Sequence, residues 1–431
     1  MNTHRTNSKW LFLTVSFFLF IIAFSLSAYA GNSRTTENFN KDWKFKLGEV
    51  AGGQEVTLDD FQWRTLTLPH DWSIEGSFSK DNPATPGGGA LPGGIGWYRK
   101  TFSVPLADKE KLVFIDFDGI YRNSEVWING HYLGLRPYGY SSFRYELTSF
   151  LKYGKEKNVL AVKVDNSQQP NSRWYSGSGI YRNVRLVTTE KIYVEHWGTY
   201  ITTPEISEQQ ARVVIKTKVR NTLGKDQPFI LKTSVVNSDG KEITAIEEKH
   251  IGPNASLSEL EQSLVVNNPI LWSIENPYMY RMIVKIICDG KEYDSYETTF
   301  GIRSFVFDTA KGFLLNGKQA KINGVCNHHD LGYLGAAINY RALQRQLEIM
   351  KSMGVNGIRT SHNPPAPELL DLCDHMGFIV MDEAFDMWKK GKTEFDYSLN
   401  WDKWHRQDLQ DMILRDRNHP SIFIWSIGNE I

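Results

Sequence analysis

The sequence predicts a multidomain β plus α/β chain. A jelly-roll sandwich is followed by an immunoglobulin-like sandwich and then the N-terminal half of a (β/α)8 TIM barrel. Three observations predict this. Up to about Thr189, short alternating runs are separated by turn residues, with no long helical period. From about Ile192 to Phe300 the alternating runs are longer and more regular. After about Gly301 short apolar runs alternate with stretches of helical spacing, the pattern of a parallel sheet. The expected segments are 1–30 (a removable leader), 31–190 (jelly roll), 191–301 (immunoglobulin-like) and 302–431 (incomplete barrel).

The leader has a positive start, Arg5 and Lys9, then an apolar region from Trp10 to Leu26. Ala28-Tyr29-Ala30 is a small-x-small cleavage site before polar Gly31-Asn32-Ser33-Arg34. The apolar region is long for a leader, so an uncleaved membrane anchor is the alternative; the cleavage site favours removal. No Cys follows that could carry a lipid. The expectation is an exported protein, periplasmic or extracellular, with no membrane partner once the leader is gone.

In the first sandwich, Gly96 to Phe102, Leu112 to Phe117 and Asn158 to Val164 read as strands. Glu125 to Ile128 and Tyr132-Leu133 flank Asn129-Gly130, a strong hairpin signal. Pro83 to Gly94 is rich in Pro and Gly and reads as a loop. In the second sandwich the clearest strands are Ala211 to Val219, Phe229 to Val236 and Tyr278 to Ile287, with turns at Asp239-Gly240 and Asp289-Gly290.

Four strand–helix steps follow. Lys321 to Cys326 is the first strand, and Leu343, Leu347 and Met350 place a helix with Asn339 as its N-cap. Gly357-Ile358-Arg359 is the second strand; Leu369, Leu370, Cys373 and Met376 repeat the helical spacing and stop at Gly377. Phe378 to Met381 is the third strand, and Trp401, Trp404, Asp408 and Met412 mark a third helix. Ile422 to Trp425, uninterrupted and apolar, reads as a fourth strand buried on both faces. A closed barrel takes ~250 residues, so this is about half of one, with an exposed parallel edge and an uncovered apolar face.

Acidic and basic residues balance at 49 each, with no basic stripe, which argues against nucleic acid as a partner. Aromatic content of 13% is mostly sandwich core, with a minority available as platforms for sugar rings. Three Cys (Cys288, Cys326, Cys373) in apolar contexts read as buried free thiols, not a disulfide framework or a metal site. Nothing in the sequence fixes an oligomeric state.

Polar residues cluster at each strand end: Asn327-His328-His329-Asp330, Thr360-Ser361-His362-Asn363, Asp382-Glu383 and Asn429-Glu430. One such His is more often a cap, and one such Glu is often half of an ion pair. Four clusters at successive parallel strand ends converge on one rim of a barrel. Carboxylates, His and Asn there suggest glycosidic bond cleavage, which uses two flanking carboxyl groups. Glu430 follows four large apolar residues, so partial desolvation is expected, which would favour its protonated form. Asn429 is placed to bond a sugar hydroxyl. No G-x-S-x-G, H-E-x-x-H or phosphate-binding Gly loop is present.

Asn356 to Pro364 and Asp416 to Glu430 resemble two signatures of glycoside hydrolase family 2, the group holding β-galactosidases and β-glucuronidases. Arg173 to Arg182 and Leu271 to Pro277 are similar to hallmarks of that family's sandwich domains. The resemblance covers nearly all of the chain after the leader. It implies Glu430 as general acid/base, Asn429 as ligand of the sugar 2-hydroxyl, His362 and His328 as sugar contacts, and Arg359 and Glu383 as support for the site floor. It also implies a nucleophilic Glu on a later strand, so the 431 residues are expected to be an inactive fragment of a longer enzyme.

Some members hold magnesium through a Glu and a His; here Phe385-Asp386-Met387-Trp388-Lys389 offers poor ligands, and no metal or other cofactor is expected. The expected activity is retaining exo-hydrolysis of terminal β-linked sugars, β-galactosides first, on an oligosaccharide or glycan. The rivals are a β-glucuronidase and a non-catalytic carbohydrate-binding remnant.

Overall fold

The computed structural model describes residues 33–431; the expected leader lies outside the described residues. The first sandwich packs a four-stranded antiparallel sheet against a six-stranded one. Alternating side chains from both sheets fill one core, including Trp43, Tyr98, Ile115, Val126 and Val162, all fully buried. Asn129-Gly130 joins Ser124–Ile128 to His131–Arg136, and both turn residues have positive φ (50° and 81°).

The second sandwich has three- and four-stranded antiparallel sheets around Val213, Leu231, Met282 and Ile286. Strict alternation along Tyr280–Cys288 places every second residue in that core. A small antiparallel meander follows, Phe305–Asp308, Gly312–Leu315 and Lys318–Gln319. The sequence reading missed it because each strand is too short to show a period.

The last region is a four-stranded parallel sheet: Gly324–Asn327, Gly357–Thr360, Ile379–Glu383 and Ile422–Ser426, in that order. Three helices connect these strands: α1 (Tyr340–Ser352), α2 (Pro367–Met376) and α3 (Trp401–Asp416). Asn339 caps α1, its side chain accepting from the Ala342 N–H at 3.0 Å. Gly377 ends α2 at φ 71°, and a Cβ there would lie 2.2 Å from the Ile274 carbonyl oxygen, so the second sandwich packs where only Gly fits.

Two expectations fail on this sheet. The fourth strand is not buried on both faces: Ile422 is buried, Phe423 and Ile424 are half-buried, and Trp425 is 37% exposed. Cys326 is exposed, whereas Cys288 and Cys373 are buried. The physical cause is shared. These strands are the two edges of the sheet, and helices cover only one of its faces among the described residues.

The sandwiches clamp the loops of this sheet. Arg182, fully buried, donates to the carbonyls of Pro364 (2.9 Å) and Pro365 (3.1 Å) after the second strand. The Tyr138 hydroxyl donates to the Ala384 carbonyl at 2.7 Å after the third. From the second sandwich, buried Trp272 donates to the Asp374 carbonyl at 2.8 Å. Among the described residues no helix is long and apolar enough to cross a membrane.

Candidate active site

Alternation along the third strand sends adjacent acids to opposite faces. Asp382 faces α3 beside Asp416; burial and that neighbouring charge push its carboxyl well above the usual range. Glu383 turns to the strand ends and is fully buried. Its Oε2 accepts from Arg359 Nε (2.9 Å) and Nη2 (2.7 Å) and from Ser426 Oγ (2.6 Å). His362 Nδ1 lies 2.5 Å from Oε1. Burial alone would raise the Glu383 carboxyl, but hydrogen bonds from His362, Ser426 and Arg359 together outweigh it and hold it below its ordinary value. Residues from three consecutive strand ends are thus tied into one network.

Arg359 extends that network. Its Nη2 also donates to Asn429 Oδ1 at 2.9 Å, and Asn429 Nδ2 donates to Asp386 Oδ1 at 3.0 Å. Asn429 is buried, and its main-chain N–H donates to the Phe385 carbonyl at 3.0 Å. Its Oδ1 keeps a free lone pair for a ligand, and its second amide hydrogen makes only a long bond, 3.4 Å, to Glu430 Oε2. Asp386 meets Arg173 Nη2 (2.6 Å) and Lys392 Nζ (3.1 Å). Burial opposes its charge, but Arg173, Asn429 and Lys392 hold the carboxyl below the usual range. A carboxylate already shared by two cations, with Met387 and Lys389 as neighbours, does not fit a hard divalent cation.

Glu430 differs from these groups. Its side chain is 69% exposed, so the expected desolvation is not met. The open inner face of the sheet leaves nothing packed over it among the described residues. Its Oε2 lies 3.4 Å from Arg173 Nη2, 3.5 Å from Lys392 Nζ and 3.4 Å from Asn429 Nδ2. Three cations (Arg173, Arg359, Lys392) therefore face three carboxylates (Glu383, Asp386, Glu430) along the rim.

His328 and His362 stand together, ring centroids 5.7 Å apart. Burial first, then the neighbouring His362, lowers the affinity of His328 for a proton, and its Nδ1 is buried without a partner. His329 turns away, half-buried against Tyr140 and Tyr181, and loss of solvent around its ring drives it down to about 3.

All six residues singled out from the sequence therefore meet at one rim. The sequence reading gave no role to Arg173 and Trp174, which the first sandwich sends in. They sit on the loop between strands Asn158–Asn166 and Val184–Thr189. Gly179 folds that loop back at φ 127°, where a Cβ would lie 2.4 Å from the Tyr98 hydroxyl. The Trp174 ring lies over His328, centroids 4.8 Å apart and tilted 30°, and edge-on to His362 at 5.6 Å. The hint available in the sequence was the resemblance of Arg173 to Arg182 to a family hallmark, which names no contact partner.

Chemically, the rim offers a locked polar floor and one accessible carboxyl. Models of glycosyl hydrolases family 2 match residues 58–190 (sugar binding domain), 192–303 and 307–431 (TIM barrel domain). The chain is 55% identical over 398 residues to the beta-galactosidase BoGH2A of Bacteroides ovatus, covering 92% of this chain and 47% of that one. A crystal structure of a glycosyl hydrolase family 2 member from Bacteroides cellulosilyticus superposes with a TM-score of 0.90 at 41% identity, covering 92% and 52% of the two chains. A Bacteroides uniformis beta-glucuronidase superposes with a TM-score of 0.81 at 30% identity, covering 92% and 47%. The chain spans about half the length of the curated relatives it matches.

Proposed function

This chain belongs to glycoside hydrolase family 2, and from that premise we propose that it works in an exported, retaining exo-β-glycosidase. The enzyme releases terminal β-linked sugars from glycans, β-galactosides first. One observation carries the reading. At the end of the fourth strand Asn429 is locked by Arg359 and Asp386, while the next residue, Glu430, stands accessible. The locked Asn429 fixes the backbone that aims Glu430, and the carboxylate itself makes only long contacts, 3.4 to 3.5 Å, that a substrate oxygen can replace.

In this mechanism Glu430 protonates the departing oxygen, then as a base takes a proton from the attacking water. Asn429, His362 and His328 hold sugar hydroxyls. The nucleophile must lie roughly 5–5.5 Å from the acid. Glu383 is unsuited to that role, since both its oxygens are engaged and its side chain is fully buried. The family resemblance implies a nucleophilic Glu on a later barrel strand, so the nucleophile is proposed to lie beyond Ile431 and these 431 residues alone to be inactive. The 55% identity to a protein named beta-galactosidase is what supports β-galactosides as the first substrate to try. Likeness to a β-glucuronidase makes β-glucuronides the second substrate to try.

The test compares matched nitrophenyl β-galactoside and β-glucuronide on the full gene product, with the first-formed anomer read by NMR. Faster galactoside cleavage giving β-galactose first supports the reading. Cleavage of neither substrate, or release of the inverted sugar, refutes it. Export is checked by N-terminal sequencing of the mature protein, expected to begin at Gly31; an intact Met1 start would count against it.

A further inference from the structure

We propose that Lys392 is a positioning residue for Glu430. Its ammonium group fixes the peptide that leads into the acid and stabilises the carboxylate that forms when the proton is given up. The proposal rests on Glu430 being the proton donor.

Lys392 is not a loose surface lysine, since its side chain is only 18% exposed. The backbone that carries it is tied down. The N–H groups of Lys392 and Thr393 both donate to Asp396 Oδ2, at 2.6 and 2.7 Å, and Asp396 is fully buried. The first sandwich holds the same loop: Arg122 Nη1 donates to the Phe395 carbonyl at 2.6 Å, and the Phe395 N–H donates to the Pro170 carbonyl at 3.1 Å.

An ammonium group has three hydrogens, and three oxygens take them. Lys392 Nζ donates to the Asp386 carbonyl at 2.6 Å, to the Asn429 carbonyl at 2.7 Å and to Asp386 Oδ1 at 3.1 Å. One side chain thereby joins the loop after the third strand to the end of the fourth. The Asn429 carbonyl belongs to the peptide that enters Glu430, and Glu430 has φ 49°, a left-handed backbone that a residue with a Cβ resists. Rotating that peptide swings the acid, so the bond from Lys392 fixes where the carboxyl points. Arg173, the other cation near Glu430, bonds carboxylates and not this carbonyl.

The charge of Lys392 acts on the same group. Nζ lies 3.5 Å from Glu430 Oε2. As the proton passes from Glu430 to the departing oxygen, negative charge grows on the carboxylate. A cation already held beside it meets that charge without reorganisation.

The experiment measures kcat/KM on methyl and dinitrophenyl β-glycosides of the sugar that the full gene product cleaves. Dinitrophenolate leaves without a proton, whereas a methoxide leaving group needs one. Lys392→Met keeps the apolar stem and removes charge and donors, and Asp386 retains Arg173, so the fold is expected to stand. This variant should lose roughly tenfold more on the methyl than on the dinitrophenyl glycoside. Lys392→Cys should show the same split. Alkylating the introduced thiol with bromoethylamine rebuilds a side chain of lysine length and charge, and should restore methyl glycoside cleavage relative to the unsubstituted enzyme treated alike. Equal losses on the two substrates, no loss, or a split that survives alkylation shown complete by mass spectrometry overturn the proposal. Glu430→Gln on the same substrates separates the two readings. A split for Glu430→Gln without one for Lys392→Met removes only the role of Lys392, and equal losses for Glu430→Gln remove the parent reading as well.

Discussion

The ends of the third and fourth parallel strands each present an acid, and the two acids live differently. Glu383 is fully buried, with four donors on its two oxygens from Arg359, Ser426 and His362. Glu430, one strand over, is 69% exposed and touches its nearest cations at 3.4 Å or more. A carboxylate saturated with donors is part of the scaffold, because its lone pairs are spent. A carboxylate left open beside a locked neighbour is free to exchange a proton with a substrate. The difference assigns architecture to one and chemistry to the other, and it can be broken experimentally.

The largest effect is expected from Glu430→Gln in the full enzyme. Loss of a general acid should lower kcat on substrates with poor leaving groups by about 10²–10⁴, and far less on activated aryl glycosides. On the 431 residues themselves, where Glu430 is 69% exposed, stability should stay within about 0.5 kcal/mol. Steady-state kinetics on the two substrate classes, with urea midpoints, check both halves; equal kinetic losses would erase the contrast.

Glu383→Gln should do the reverse on stability, costing about 3 kcal/mol, because it leaves Arg359 without its countercharge. Breaking a buried pair costs about 3–5 kcal/mol, and the low end applies because Arg359 is 28% exposed. Activity should fall as well, on both substrate classes alike, since Asn429 loses the support of Arg359. The depressed Glu383 carboxyl sets the pH sign: its contribution is present above about pH 4.3 and fades as pH falls through the lower folded value. An acid-unfolding limb unchanged by Glu383→Gln would contradict its role in the scaffold.

The foot of the fourth strand sharpens the comparison, since it is anchored where the tip is open. His419 Nδ1 lies 2.6 Å from Asp374 Oδ2, and the Ser421 N–H donates to Asp374 Oδ1 at 3.1 Å. Burial opposes the imidazolium, but Asp374 outweighs it and raises His419 to about 9. A raised pKa means stability fully present below pH 6.5 and lost as pH climbs to about 9. That loss amounts to about 3 kcal/mol. Thermal midpoints between pH 6 and 10 should show this limb, and His419→Gln should flatten it.

Much of this was legible in the sequence, for identifiable reasons. Asn129-Gly130, Asn339 and Gly377 act locally, so their neighbours in sequence suffice to read them. Strand ends could be aligned because parallel strands share a direction, which brought His328, Arg359, His362, Glu383, Asn429 and Glu430 to one rim. Exposure was not legible: Cys326 and Trp425 sit in apolar runs, but whether a second layer covers them is a property of the sheet's edges and open face. Arg173 and Trp174 were hidden for a related reason. Their partners Asp386 and His328 lie more than a hundred residues on, and no local pattern announces a contact across domains. The phrases around Arg182 and Trp272 resemble family hallmarks, and the structure shows both joining sandwich to barrel.

The smallest expected effect comes from Asn339→Ala, and it serves as the control for both acids. Asn339 belongs to the same parallel sheet's first connection, but its side chain only caps α1, bonding the Ala342 N–H at 3.0 Å. Removing it should cost about 1 kcal/mol. It touches neither the Glu383 network nor Glu430, so kcat/KM on both substrate classes should be unchanged while the urea midpoint shifts slightly. A loss of activity from this variant would mean that small destabilisation of the parallel sheet alone disturbs the rim. The loss from Glu383→Gln would then reflect general loosening and not the removal of one carboxylate.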